Sequence, residues 1–83
     1  MTITKDCEGN ELHAGDVVEN IYQKGLPFRF YTYVGKLSME EFRGKVMALF
    51  FNNEKPEEEL HTYDRDRYGK VLAMRLVARK KTL

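Results

Sequence analysis

The sequence has few of the residues that covalent or metal-based chemistry needs. It contains one cysteine, Cys7, and two histidines, His13 and His61, in 83 residues. A single cysteine excludes an intrachain disulfide, and a structural zinc site needs four Cys or His ligands at paired spacings. Phosphate-binding loops, GxSxG nucleophile elbows and HExxH zinc motifs are also missing. The sequence therefore predicts no catalytic residue, no metal site and no cofactor.

Long apolar runs are missing as well. The longest uninterrupted one, residues 46–51 (VMALFF), is far shorter than the roughly 20 residues that span a bilayer. The first residues, MTITKDCEGNE, lack the apolar segment of a signal peptide. With one cysteine, this composition predicts a cytoplasmic location and no membrane association.

Charge is nearly balanced overall but unevenly distributed along the chain. Net charge is +1, yet residues 65–83 hold seven basic and one acidic side chain, against seven basic and 12 acidic in residues 1–64. Such asymmetry indicates a local electrostatic surface. If the carboxyl-terminal segment is an exposed strand with a basic tail, the side chains that would contact phosphates are Arg75, Arg79, Lys80 and Lys81.

Short runs of β-branched, aromatic and apolar residues alternate with turns that contain Gly or Pro, at intervals of roughly ten residues. This pattern predicts an all-β domain of about five strands, a small barrel or a meander, over residues 1–83 with a basic tail at 79–83. The strongest strand candidates are residues 17–22, 28–34, 46–51 and 71–79. The sequence predicts at most one short helical turn.

Two segments keep alternatives open. Residues 71–79 alternate as a strand does and follow a Tyr-Gly turn, but Leu, Ala, Met and Arg are also good helix formers. We favour the strand. Ser38 and Glu41 match a capping box, which predicts a short helical turn, although a wide loop fits equally well. In residues 17–22, the sequence does not decide whether the face with Val17 or the face with Val18 points toward the core.

The strand at 28–34 has two chemically different faces. Phe28 and Phe30 point one way, and Tyr31 and Tyr33 point the other. Because a Tyr hydroxyl prefers water or a polar partner, we expect the Phe side chains to face the core and the Tyr side chains to face solvent. Residues 46–51 are expected to be buried on both faces. The predicted core comprises Phe30, Leu49, Phe51, Leu72, Met74 and Leu76.

Two surfaces are candidates for binding. Exposed Tyr31 and Tyr33 could stack on bases beside the basic segment, as small barrels do with single strands. The acidic residues Glu57, Glu58 and Glu59 lie in a polar loop and could instead contact a protein, for example as an inhibitor that caps a host protein. Because the acidic loop weakens the positive field, a protein partner is favoured over nucleic acid. The expected function is that of a non-catalytic binding or accessory module.

Residues 4–19, TKDCEGNELHAGDVVE, contain Lys-Asp, a Gly-containing turn, an apolar residue, and Gly-Asp before two valines. This stretch resembles the opening of YopX-type phage proteins and, more loosely, of small SH3-like barrels. The resemblance implies an SH3-like meander in which residues 2–5 fold back on residues 11–13, and a phage or mobile-element origin. It transfers no functional residue. The Ile-Gly-Asn-Ile-Tyr-like run expected near the end of YopX-type proteins is replaced here by VLAMRLVARKKTL.

Overall fold

A computed structural model of the chain describes residues 3–55, 57 and 60–80, with only the backbone of residues 40–42. The described residues form one antiparallel sheet of five strands. A single 3-10 turn, Ile21–Gln23, follows the first strand. The prediction of an all-β fold with about five strands and at most one short helical turn is confirmed. The strands are β1 (Val17–Asn20), β2 (Phe30–Phe42), β3 (Lys45–Asn52), β4 (Leu60–Tyr63) and β5 (Met74–Ala78). Their order across the sheet is β4-β3-β2-β1-β5.

The segment at 71–79 is a strand rather than a helix. It pairs with β1 in an antiparallel register, with Asn20 opposite Met74 and Val18 opposite Leu76. The strand begins at Met74 because the preceding residues are still part of a turn. Leu72 lies in this turn and is exposed.

Residues 38–41 form neither the helical turn nor the wide loop that the sequence predicts, because β2 continues through them as strand to Phe42. β2 pairs with β3 as far as Phe42 opposite Lys45, and irregularities in the register lie on both sides of Leu37. Arg43 and Gly44 form the two-residue connection, with φ angles of 53° and 75°. Positive φ at both central residues gives a turn whose twist matches that of paired strands. The long ladder and this turn override the local capping signal.

The inward and outward faces of β2 are the reverse of those predicted. Tyr31 is 2% exposed and Tyr33 is also buried, whereas Phe28 is exposed and Phe30 is only partly covered. Burial is possible because the ring can be covered while its hydroxyl keeps a polar partner. The Tyr31 hydroxyl donates to Oε1 of Gln23 at 3.1 Å. The buried hydrophobic side chains are Leu12, Val18, Tyr31, Tyr33, Ala48, Phe50, Val71 and Met74.

The predicted core is therefore largely wrong. Met74 is fully buried and Leu76 packs against the core, as expected. Phe51 is 37% exposed, and Phe30 and Leu49 are only half-buried. Only one face of β3 is fully covered, so the strand is not buried on both sides. Ala48, Phe50 and Asn52 point inward, and the residues between them point outward.

Two loops with the pattern Asp-x-x-Gly-x, residues 6–10 and 66–70, are closed by the same hydrogen bonds. In each loop, Oδ1 of the Asp accepts the N–H groups of the second and fourth residues after it, at 2.7 to 3.0 Å. The Asp N–H donates to the carbonyl of the fourth residue after it, and the Gly N–H donates back to the Asp carbonyl. Gly9 and Gly69 have φ angles of 86° and 85°, which favour glycine. The loops are structural twins.

The twin loops join the first described segment of the chain to residues 69–76. The N–H of Lys5 donates to the Gly69 carbonyl at 2.8 Å, and the Val71 N–H donates to the Lys5 carbonyl at 2.8 Å. Lys5 also forms an antiparallel bridge with Glu11, so the chain folds back on itself at the first loop. Oδ2 of Asp6 accepts the Leu76 N–H at 2.7 Å and attaches β5 to the same point.

Candidate functional site

The predicted phosphate-binding arginines are engaged with carboxylates of the same chain. Nη2 of Arg75 lies 2.9 Å from one oxygen of Glu19, and Nε of Arg29 lies 2.9 Å from the other. Hydrogen bonds from Arg75 and then Arg29 hold the pKa of Glu19 below its usual value. Arg75 is thus ion-paired with a carboxylate on the outer face of the sheet, which offsets its positive charge.

Arg79 and Lys80 remain exposed but anchor the end of β5 to the turn before β1. Nη1 of Arg79 lies 2.6 Å from Oδ2 of Asp16 and donates to the Glu11 carbonyl at 2.7 Å. Asp16 is 1% exposed and also accepts the Lys80 N–H at 3.3 Å. The Lys80 side chain packs so closely on Gly15 that a Cβ there would lie 2.4 Å from Lys80 Cδ. Lys81, the other predicted phosphate contact, lies outside the described residues.

The predicted base-stacking side chains are on the opposite, covered face. The Tyr31 ring packs edge-on against His61 and Tyr63, with centroid distances of 5.4 and 5.6 Å. Tyr33 packs against Phe50 at 5.3 Å. Rings buried in this way cannot stack on a base without leaving the core. The structure therefore does not bring the tyrosines and the basic side chains together on one surface.

The acidic loop was the second candidate surface. Glu57 is exposed, and Glu58 and Glu59 lie outside the described residues. The polar stretch at residues 52–63 was predicted to be a loop throughout. The loop ends earlier than this, because β4 begins at Leu60 and pairs with β3. The start of the loop is fixed by Asn52, whose Oδ1 accepts the Glu54 N–H at 2.9 Å and whose Nδ2 donates to the Phe28 carbonyl at 3.1 Å.

Among the described cavities, the largest is a groove of about 640 Å³ between the amino-terminal segment and the far half of β2. We call it the β2 groove. The described part of its lining is mainly apolar, and Lys36 is the one Lys or Arg among the described lining residues. Met39 at its rim is 99% exposed, and Ile3 is also exposed. The lining residues are Ile3, Thr4, Leu12, His13, Ala14, Tyr33, Gly35, Lys36, Leu37 and Met39.

The groove exists because β1 is much shorter than β2. The ladder between the two strands includes Thr32, and Tyr33 then exchanges hydrogen bonds with the Gly15-Asp16 turn at 2.8 and 2.9 Å. Beyond this point β2 pairs only with β3 among the described strands. Gly35 allows the closest approach, since a Cβ at this position would lie 2.6 Å from the Ala14 Cβ. The far half of the hairpin therefore forms one wall of an open groove.

Thr4 is a buried residue in the lining of the same groove. It is 4% exposed, and its Oγ1 has no hydrogen-bond partner within the described part of the chain. The Thr4 carbonyl accepts the Leu12 N–H at 2.9 Å. Because Oγ1 is itself almost completely buried, it offers no contact to a ligand in the groove.

Two other features of the described residues are weaker candidates for a functional site. A second cavity of about 320 Å³ lies beside Tyr31 and His61, but its polar lining is largely bonded within the protein through Gln23 and Asn52. Cys7 is half-buried, and burial, followed by the charges of Asp6 and Glu8, raises the pKa of its thiol. A thiol with a raised pKa is a poor nucleophile at neutral pH.

No cluster of three or more metal-ligating side chains occurs in the part of the chain that the structure describes. Within these residues no helix is long and apolar enough to cross a membrane. The sequence did not reveal the β2 groove because its walls come from two segments that are distant along the chain. The only local hint was an apolar Met39 in a polar stretch.

Comparisons with protein-family models, curated proteins and solved structures give no match to this chain. We therefore infer the function from the geometry of the β2 groove.

Proposed function

We propose that this protein is a non-catalytic binding module whose protein partner docks in the β2 groove. The observation that carries the proposal is an apolar groove of about 640 Å³ with Met39 at its rim, 99% exposed. Removing such apolar surface from water is the main favourable term in most protein association. Exposed apolar surface beside a concave site is typical of docking sites.

The proposal includes the setting that the resemblance in residues 4–19 implies. We propose a small SH3-like barrel of phage or mobile-element type that acts as an accessory protein in the cytoplasm. The twin loop at residues 6–10 and the Gly15-Asp16 turn support this choice, because they are the features on which the resemblance depends.

Two other functions rank lower. A nucleic-acid interface would use Arg75 and Arg79, which already contact Glu19 and Asp16. An inhibitor that acts through the acidic loop would use Glu57 and its neighbours, and the exposure of Glu57 is compatible with this. The groove is favoured because its apolar lining supplies the larger driving force for binding a protein.

The test is a selection of linear peptides from a random display library on the immobilised domain. Selected peptides should bind the parent, and Met39→Glu should weaken them about tenfold or more, because the charge must be desolvated in an apolar contact. Leu72→Glu is the matched control, since Leu72 is also exposed but does not line the groove. It should change affinity by less than about twofold. Thermal melting should show that both variants remain folded.

Peptides that bind Met39→Glu as tightly as the parent would contradict the proposal. Glu57→Lys distinguishes the acidic loop: a large loss of affinity in this variant, with no loss in Met39→Glu, would move the binding site there.

A further inference from the structure

We infer that the outer face of the sheet, the side turned away from Tyr31 and Phe50, packs against the outer face of a second copy of this chain. In this dimer the β5 edge of each copy lies over the β4 edge of the other. The surface is separate from the β2 groove, so the inference goes beyond the proposed function. Tyr33, which lines the groove, points to the other side of the sheet, and the dimer leaves the groove open.

A row of cross-strand neighbours crosses the outer face from one edge of the sheet to the other. Each member lies opposite the next in the register of the paired strands: Leu60, Phe51, Thr32, Val17 and Ala78. Leu60 is 49% exposed, and Phe51 is exposed as well. Val77, at the register irregularity beside Ala78, is 47% exposed. The outer face thus presents a continuous, mainly apolar row to solvent.

The sequence of β3 is that of a strand covered on both sides. Its apolar run, residues 46–51, lacks the polar alternation of a strand with one solvated face. In a single chain Phe50 is fully buried, but its neighbour Phe51 is exposed. Two sheets that pack face to face, about 10 Å apart, cover such strands on both sides. A second layer on the outer face would cover the apolar side chains that a single chain leaves in water.

The two edges of the outer face carry charges of opposite sign. At the β5 edge Arg75 is exposed, although it contacts Glu19 at 2.9 Å. At the β4 edge Glu57 is exposed in the acidic loop that precedes Leu60. Both charges lie at the same end of the strands, because Glu19 is opposite Phe30 and the acidic loop leaves β3 at that end. Opposite charges at opposite edges make the face complementary to its own copy.

A second copy fits this arrangement because β2 is the central strand. A twofold axis that runs along β2, between the two sheets, places the β5 edge of one copy over the β4 edge of the other. Arg75 of each copy then lies on the same side as Glu57 of the other. In the row, Phe51 faces the smaller Val17 of the second copy, so a large side chain meets a small one.

The size of the outer face is sufficient for a weak dimer. Five strands spaced about 4.8 Å apart, each with four or five residues in the face, cover about 24 by 15 Å. With the relief of the side chains, pairing would bury roughly 1,000 Å² of accessible surface in total, which is near the lower limit for a specific interface. We therefore expect a dissociation constant on the order of 10⁻⁵ M.

Sedimentation velocity of the whole chain between about 5 and about 500 μM tests the dimer. The average mass should rise toward twice that of the monomer. Leu60→Lys and Val77→Lys place a charge at either edge of the row, and each should weaken the dimer about tenfold or more. Leu72→Lys is the matched control, because Leu72 is equally exposed but lies in the turn before β5. It should change the dissociation constant by less than about twofold.

Glu57→Lys tests the orientation of the two copies. This variant places like charges together at both edges, and the dimer should weaken a few-fold at low salt. Backbone amide shifts in NMR spectra should change with protein concentration in β1, β3 and β5. Circular dichroism melts should show that each variant remains folded.

A parent chain that stays monomeric at about 500 μM would overturn the inference. So would a dimer that Leu60→Lys and Val77→Lys leave intact, or one that Glu57→Lys does not weaken. Concentration-dependent shifts confined to residues 33–39 would place the second copy in the β2 groove instead and would also overturn it. The proposed function is judged separately, by the dependence of peptide binding on Met39.

Discussion

The guanidinium of Arg79 lies 2.6 Å from the carboxylate of Asp16, which is almost completely buried. Arg79 itself is about half exposed. The pair joins the end of β5 to the turn that precedes β1, and the same carboxylate accepts the backbone N–H groups of His13 and Lys80. Basic residues that the sequence suggests for ligand contact therefore have a structural role.

Removing the buried member of this pair should be costly. Asp16→Ala leaves three donors without their acceptor, and we expect it to lower the free energy of unfolding by about 2–4 kcal/mol. Arg79→Ala should cost about 1–3 kcal/mol, because solvent screens the exposed guanidinium but the carboxylate stays buried. Urea denaturation measures both. Lys45→Ala removes an exposed pair with Asp64 and should change stability by less than about 0.5 kcal/mol. A comparable loss in all three variants would contradict this assignment.

Neighbouring phenylalanines on β3 should differ strongly, because they lie on opposite faces. Phe50 is fully buried, and Phe50→Ala should cost about 3–5 kcal/mol, enough to unfold much of so small a domain. Phe51 is 37% exposed, and Phe51→Ala should cost less than half as much. Thermal melting of the two variants provides the comparison. Similar melting temperatures would show that the inward face of β3 is wrongly assigned.

Acid should destabilise the fold in part through Asp6. Burial acts to raise the pKa of Asp6, but hydrogen bonds from the Leu76 N–H, from Asn10 and from the Glu8 N–H outweigh it, and the net pKa lies below the usual 3.8. A carboxylate with a lowered folded-state pKa stabilises the fold above its unfolded-state pKa, and that stability is lost as pH falls through the folded-state pKa. Stability should therefore fall as pH drops below about 3.8.

Asp6→Asn tests this directly. The variant should be less stable at neutral pH, because an amide nitrogen cannot accept from Leu76, and its stability should depend less on pH in the acid range. Urea midpoints at several pH values between about 7 and about 3 measure the slope. Glu57→Gln, at an exposed carboxyl, is the control and should leave it unchanged. An unaltered acid slope in Asp6→Asn would contradict the role given to Asp6.

Oligonucleotides should bind weakly or not at all. Arg75 and Arg79, two of the four predicted phosphate contacts, are already paired with carboxylates, so they are less able to release counterions from phosphates. We expect mixed single- and double-stranded oligonucleotides at about 50 mM salt to show nothing tighter than about 10⁻⁴ M. Submicromolar affinity that falls steeply with salt would make nucleic-acid recognition the leading function. In that case, changing Arg79, Lys80 and Lys81 together should weaken binding and make the affinity less dependent on salt.

Local patterns were reliable where one interaction dominates. Alternation at residues 71–79 predicted the strand β5, although the helix propensity of the same residues was high. The Asp-x-x-Gly spacing also occurs twice in the sequence, at residues 6–9 and 66–69. That repeat would have predicted the twin loops, because an Asp side chain that accepts nearby N–H groups and a Gly with positive φ are sufficient to close each one.

The sequence by itself determined the class of fold, the turns and the presence of strands, because these depend on short-range steric preferences and on the period of the apolar residues. Tertiary structure decided which face of each strand is covered, since alternation is the same whether Tyr31 or Phe30 points inward. It also decided the role of the basic residues and the existence of the β2 groove. Both depend on segments far apart in the chain: Asp16 meets Arg79, and Thr4 faces β2 across the groove. Contacts of this kind are fixed by packing and long-range pairing, which no local pattern specifies.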